Sequence, residues 1–212
     1  MTVTISRLYG NYSAASQVVS DLEAAGLPYA ETSLVSSNAD NWYVGKQAAM
    51  SGKIDRDGDG VDDRVEGAEA GAGIGAVIGG GAGLLTGLGL IAIPGLGPVV
   101  AAGWLVAAAV GAVAGGATGG IIAALTQTGV NKEDAEIYAE GVRRGGTLVT
   151  ARMADGDRSR YEAIMDRSAV NIRDRRAAYR KTGWSRFDPV ALPYSPDQVL
   201  KEREMYSRMV SS

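Results

Sequence analysis

Apolar and polar positions alternate with a period of two over residues 2–9, from Thr2 and Val3 to Leu8 and Tyr9, which predicts a strand with one buried face. The period then lengthens. Ala14, Ala15, Val18, Val19 and Leu22 recur at helical spacing behind a cap expected at Ser13, until Gly26 and Pro28 end the run. Residues 32–36 read as a second short strand. After a long uncharged stretch the same order returns: Asn131 caps a helix through Ala135, Tyr138 and Val142, Gly145 and Gly146 close it, and residues 147–153 alternate as a strand. A further helix is expected over Tyr161, Ile164 and Met165, and residues 170–175 supply a fourth strand. The expected fold class is therefore α+β, a ferredoxin-like two-layer sandwich with strands in one layer and helices in the other.

Between the two halves the pattern is of another kind. Gly67, Gly71, Gly75, Gly79, Gly83 and Gly87 stand four apart, and Gly103, Ala107, Gly111, Gly115, Gly119 and Ala123 repeat the spacing. Positions four apart share one helical face, so each row predicts a bare groove into which another helix settles closely. Pro94, Gly95, Leu96, Gly97 and Pro98 separate the rows, giving a glycine-zipper helical hairpin as the expected insertion. Five segments follow: 1–54 as the first half of the α+β domain, 55–66 as an acidic loop, 67–130 as the hairpin, 131–180 as the second half, and 181–212 as an aromatic and proline tail with a last helix. In that tail Ser195, Pro196 and Gln198 form a capping box with proline in the first turn. The tail docks either on its own domain or on a neighbouring subunit.

The acidic loop carries the most specific chemistry. A twelve-residue calcium loop of the EF-hand type needs oxygen at its first, third, fifth, seventh, ninth and twelfth places and glycine at its sixth. Asp55, Asp57 and Asp59 supply carboxylates, Val61 its carbonyl, Asp63 a ligand direct or through water, and Glu66 the closing carboxylate, with Gly60 at the sharp turn. Asp62 at the usually aliphatic eighth place argues for a single loop rather than a pair. Since Glu66 immediately precedes Gly67, bound Ca2+ would order the entry to the first glycine row.

Composition narrows the function classes. The 212 residues contain no His and no Cys, which removes imidazole bases, thiolate nucleophiles and disulfides, so no catalytic residues and no small-molecule substrate are assigned and the chain is read as non-enzymatic. With 21 basic against 24 acidic side chains there is no footprint for nucleic acid. No charged side chain occurs from 70 to 131, and each expected arm exceeds the ~20 residues of a bilayer span. The expected partners are copies of the chain itself and a membrane, with the protein on the cytoplasmic side or, as the alternative, a soluble cytoplasmic oligomer. A channel-forming or membrane-permeabilising assembly is the rival reading.

Four segments taken together resemble a bacterial family related to the heat-induced general stress proteins. They are the run from Tyr9 through Ala15, the loop from Asp55 to Asp63, the glycine rows with Ile93 to Pro98, and the run from Tyr138 to Gly146. The resemblance implies a stress-associated, non-enzymatic structural domain with a glycine-zipper insertion. Arg143 and Arg144 beside the glycines at 145 and 146 form either an anion site or a structural helix end.

Overall fold

The computed structural model describes residues 1–43, 88–93, 95–114 and 120–210. Among the described residues five strands form one sheet in the order β1-β5-β2-β4-β3: β1 (Thr2–Tyr9), β2 (Thr32–Ser37), β3 (Gly89–Ile93), β4 (Gly97–Ala102) and β5 (Thr147–Ala154). Every neighbouring pair is antiparallel. β1 and β2 are joined by helix α1 (Tyr12–Ala24), and β5 lies between them. The chain is thus α+β, as its alternating segments predict.

Helices cover both faces, so the expected two layers become three. On one face α1 and α5 (Arg158–Met165) pack Val18, Val19, Leu22, Ile164 and Met165 against Ile5, Tyr9, Leu34, Val149 and Met153. On the other, α2 (Trp104–Ala114), α3 (Gly120–Gln127) and α4 (Lys132–Arg143) pack Leu105, Ile121, Leu125, Tyr138 and Val142 against Leu8, Val35, Val99 and Leu148. In β1, β2, β4 and β5 adjacent residues feed opposite cores, as the pleat requires. All six residues of β2 are consequently buried, and its hydroxyls pair across the sheet: Ser36 with Thr147 at 2.8 Å, while Ser6 of β1 meets Thr150 at 3.1 Å.

Three expectations are corrected here. Residues 170–175 do not form a strand; they enter α6 (Ile172–Lys181), because Asn171 caps its amides and offers the backbone a helical start. The cap of α1 is Asn11, whose side chain accepts from Ala14 N at 2.9 Å, and not Ser13. Most consequentially, the proline and glycine break does not join two helices. It is the turn of a β-hairpin, β3 with β4, in register from Gly89 opposite Ala101 to Ile93 opposite Gly97. Leu88, Leu90 and Ile91, within the range 67–130 expected as a helical hairpin, lie at or in β3, and Val99 and Val100 lie in β4. Branched side chains suit a pleated surface buried by neighbours, and a short uncharged run carries no period to separate strand from helix.

The last helix, α7 (Pro196–Val210), opens with the reciprocal pair expected of it: Gln198 N donates to Ser195 Oγ at 3.3 Å, and Ser195 N to Gln198 Oε1 at 2.8 Å. The tail docks on its own domain, seating Phe187 in the α2–α4 core and burying Val199 completely.

Candidate functional site

The proposed calcium ligands Asp55, Asp57, Asp59, Val61, Asp63 and Glu66 lie outside the described residues, as do Gly67, Gly71, Gly75, Gly79, Gly83, Gly87, Gly115 and Gly119. What the structure defines is the place where that segment leaves and rejoins the fold. β2 ends at Ser37, and buried Asn38 then organises a tight turn: its N donates to Pro98 O at 2.9 Å, its carbonyl accepts from Asn41 N at 2.9 Å, and its Oδ1 accepts from Tyr43 N at 3.0 Å. Asn41 takes φ 54°, the left-handed region that asparagine tolerates. Trp42 follows, donating Nε1–H to Ser37 O at 2.7 Å and resting its ring 4.5 Å from that of Tyr12.

The return point is fixed by the next side chain. Tyr43 donates its hydroxyl to the carbonyl of Leu88 at 2.8 Å, immediately before β3. Segment 44–87 is therefore bounded by two residues, Tyr43 and Leu88, that the structure brings together. Burial raises the pKa of Tyr43, so the phenol stays protonated and remains a donor at neutral pH.

The remaining members of the second glycine row fall into two kinds. Gly103 is not on a helix at all: it sits at φ 95° between β4 and α2, where an added Cβ would lie 2.4 Å from both Ser33 Oγ and Thr32 O. Its glycine serves a sharp turn pressed against β2, and Ser33 Oγ caps the helix beyond it by accepting from Leu105 N at 2.8 Å. Gly111, in contrast, is helical and open, with nothing within 4 Å of where a Cβ would stand. Ala107 and Val110 share its outward face, and Val110 is 49% exposed.

Arg143 and Arg144 settle their own question. Both converge on Glu140, one turn back on α4 and fully buried; Arg144 Nε approaches its Oε1 at 2.6 Å and Arg143 takes the other oxygen. The i, i+3 and i, i+4 spacing is legible in the chain and places these partners on one face. Arg144 also meets Glu202 of α7 at 3.2 Å, and its guanidinium carbon stands 4.3 Å from the Tyr179 ring centroid. Burial opposes the charge of Arg144, but the bond and field of Glu140 outweigh it and raise its pKa. Arg143 donates to Asp188 O at 3.2 Å and stands 5.1 Å from the centre of Phe187. The pair is neutralised by protein carboxylates and roofed by tail aromatics, which is a structural helix end.

A groove of about 530 Å³ opens elsewhere, over Leu27, Met153 and Tyr161. Two of the charges on its wall are engaged with each other: Arg152 Nε donates to Glu31 at 2.8 Å, and the guanidinium carbon lies 4.4 Å from the Trp104 ring centre. Among the described residues no group of acidic side chains is arranged to hold a metal ion, and no helix is long and apolar enough to cross a membrane. No known protein family, curated protein or solved structure matches the chain.

Sequence reasoning missed Trp42, Tyr43 and Leu88. Two adjacent aromatics just before a charged, glycine-rich stretch were the available signal, since a large rigid pair is a natural stopper at the base of an excursion.

Proposed function

We propose that the protein is a non-enzymatic, stress-associated structural protein whose α+β body presents residues 44–87 for calcium-dependent self-association. The observation that carries this reading is the Tyr43 to Leu88 closure, which lets a fold complete itself while a segment dense in carboxylates and glycines departs from it. The donor set fits calcium: Asp55, Asp57, Asp59, Asp63 and Glu66 with the carbonyl of Val61 are all hard oxygens in the required order. Six carboxylates within twelve residues repel one another until a cation neutralises them. When bound, Ca2+ supplies that neutralisation and a fixed start for the row that begins at Gly67.

Self-association gains support from the outward face of α2. Ala107 and Gly111 carry almost no side chain, and the open space over Gly111 lets another helix approach closely. Membrane seating is the second reading and has less to rest on. The second arm is divided among β4, α2 and α3, whose apolar residues pack on the sheet, which leaves only the uncharged run 70–88 before β3 as a candidate for seating in a bilayer. We read the β1-α1-β2 crossover, with β5 between its strands, as the ferredoxin-like element of the body, with the β3–β4 hairpin extending it.

The test is particle mass in solution with calcium and with chelator, repeated with liposome flotation. The proposal expects larger particles in calcium. Gly75→Leu with Gly79→Leu should abolish them, and Asp57→Asn with Glu66→Gln should abolish their calcium dependence. A monomer under all conditions, for the unaltered chain, contradicts it; flotation with liposomes would move the assembly to a membrane surface.

A further inference from the structure

The departing end of the insertion is also fastened from outside, by a part of the chain far away in sequence. After α6 the tail runs across the β3–β4 turn so closely that a Cβ on Gly95 would lie 2.8 Å from Pro189 Cα, and one on Gly97 would lie 2.7 Å from Pro193 Cβ. Both glycines have positive φ, 78° and 84°, so the turn is shaped to receive the tail. α7 then lies on the α4–β5 connection, where Val199 Cγ1 fills the space a Cβ on Gly145 would need, at 2.6 Å. From this helix Arg203 reaches three parts of the fold at once. Its Nε donates to Gly145 O at 2.9 Å, its Nη2 to Ser37 O at 3.4 Å, and its Nη1 to the carboxylate of Asp40.

Asp40 and Ser37 belong to the turn that carries the chain into the insertion, and Gly95 and Gly97 belong to the hairpin that receives it back. The tail therefore grips the departing end of the insertion together with the β3–β4 turn, which Asn38 N ties to that end through Pro98 O. Its own grip is light. Phe187 and Val199 are buried, while Val190 is 85% exposed, Leu192 88% and Leu200 49%. A segment with few buried apolar contacts opens at lower free energy than the sheet beneath it. Asp40 and Arg203 are in contrast well shielded, at 13% and 21% side-chain exposure, so their pair resists screening by salt.

We propose that the C-terminal segment is a releasable clamp on the root of the insertion, with the Arg203–Asp40 pair as its catch. Opening the catch frees residues 38–43 while the body stays folded. By reciprocity, whatever orders the insertion at its root also favours the docked tail. This rests on reading 44–87 as a presented insertion, but its readout is the mobility of the root, which is separate from calcium binding and assembly.

Amide hydrogen exchange on the full chain tests it. In Arg203→Ala the amides of Asn41 and Tyr43 should exchange about tenfold faster or more, with the amides of α7, while the β1–β5 amides keep their wild-type rates. Asp40→Ala should act alike, and the double variant should add little to either. If Arg203→Ala does not fold, Arg203→Lys carries the same test, since it keeps the charge and loses the three-way fork. Root amides at wild-type rates, or a β1–β5 pair loosened as much as the root, would overturn the proposal. Loss of the calcium response with the root still released would count against the function proposed above and leave the clamp standing.

Discussion

The two faces of the sheet are closed by different means. Under α1 and α5 the core is almost wholly apolar, and its fully buried phenol, Tyr9, donates to Met165 O at 2.8 Å. Under α4 the apolar core gives way at one end to a buried carboxylate gripped by two arginines and covered by the tail. The first face is held by shape and fails when a cavity opens; the second is held by charge pairing and fails when a partner is removed. The root of the insertion lies where the two meet: Trp42, Tyr43 and Leu88 pack on the α1 side, while Arg203 reaches Asp40 from the tail. Stability is thereby concentrated on one side of the root and adjustability on the other.

Removing Glu140 breaks this contrast most severely. Glu140→Ala leaves Arg143 and Arg144 buried without their carboxylate and should cost about 3–5 kcal/mol, read as a fall in the urea midpoint with the tail released to proteolysis. On the other face Leu22→Ala should cost about 2–5 kcal/mol through the cavity it leaves, since Leu22 is fully buried. Here the tail should stay protected until the whole domain unfolds. Should both variants release the tail equally, the two faces are one cooperative unit and the contrast is lost.

A smaller effect sharpens it at high pH. Burial pushes the Tyr138 phenol up from 10.0 to about 12, and its hydroxyl donates to Ser6 O at 2.8 Å. Burial raises Tyr9 in the same direction. An unfolded tyrosine releases its proton near 10, while the folded one keeps it to about 12. The native state then binds more protons, so the stabilisation is complete below the unfolded value and is lost as pH rises through the folded one. Stability measured by urea unfolding should fall over that window, less steeply in Tyr138→Phe, and an equal slope in the variant would remove Tyr138 as its source.

Much of the body is legible in the chain because local chemistry and tertiary need coincide there. Thr2–Tyr9 is readable as a strand from its period of two, although the structure buries both of its faces, Ile5 and Tyr9 in one core and Leu8 in the other, and Asn131 precedes Lys132–Arg143 because a helix start needs an acceptor, supplied to Asp134 N at 2.8 Å. The errors arise where one residue type serves two purposes. Glycine marks both a bare helical face and a turn with positive φ, and spacing alone does not separate Gly111 from Gly103. The same ambiguity hid the β3–β4 hairpin, whose Gly95 and Gly97 answer to a tail about a hundred residues away. Of the site, Glu140 with Arg143 and Arg144 was readable from helical spacing. The Tyr43 to Leu88 closure and the Arg203 catch were not, because nothing local to either partner names the other.

The central claim is that the fold closes beneath the insertion and that assembly belongs to the insertion. Replacing residues 44–87 by a short Gly-Ser bridge tests both halves in one sample, by thermal unfolding and particle mass in calcium. The account predicts cooperative unfolding close to that of the whole chain together with a monomer that no longer answers to calcium. A variant that fails to fold, or one that still assembles with calcium, would contradict it.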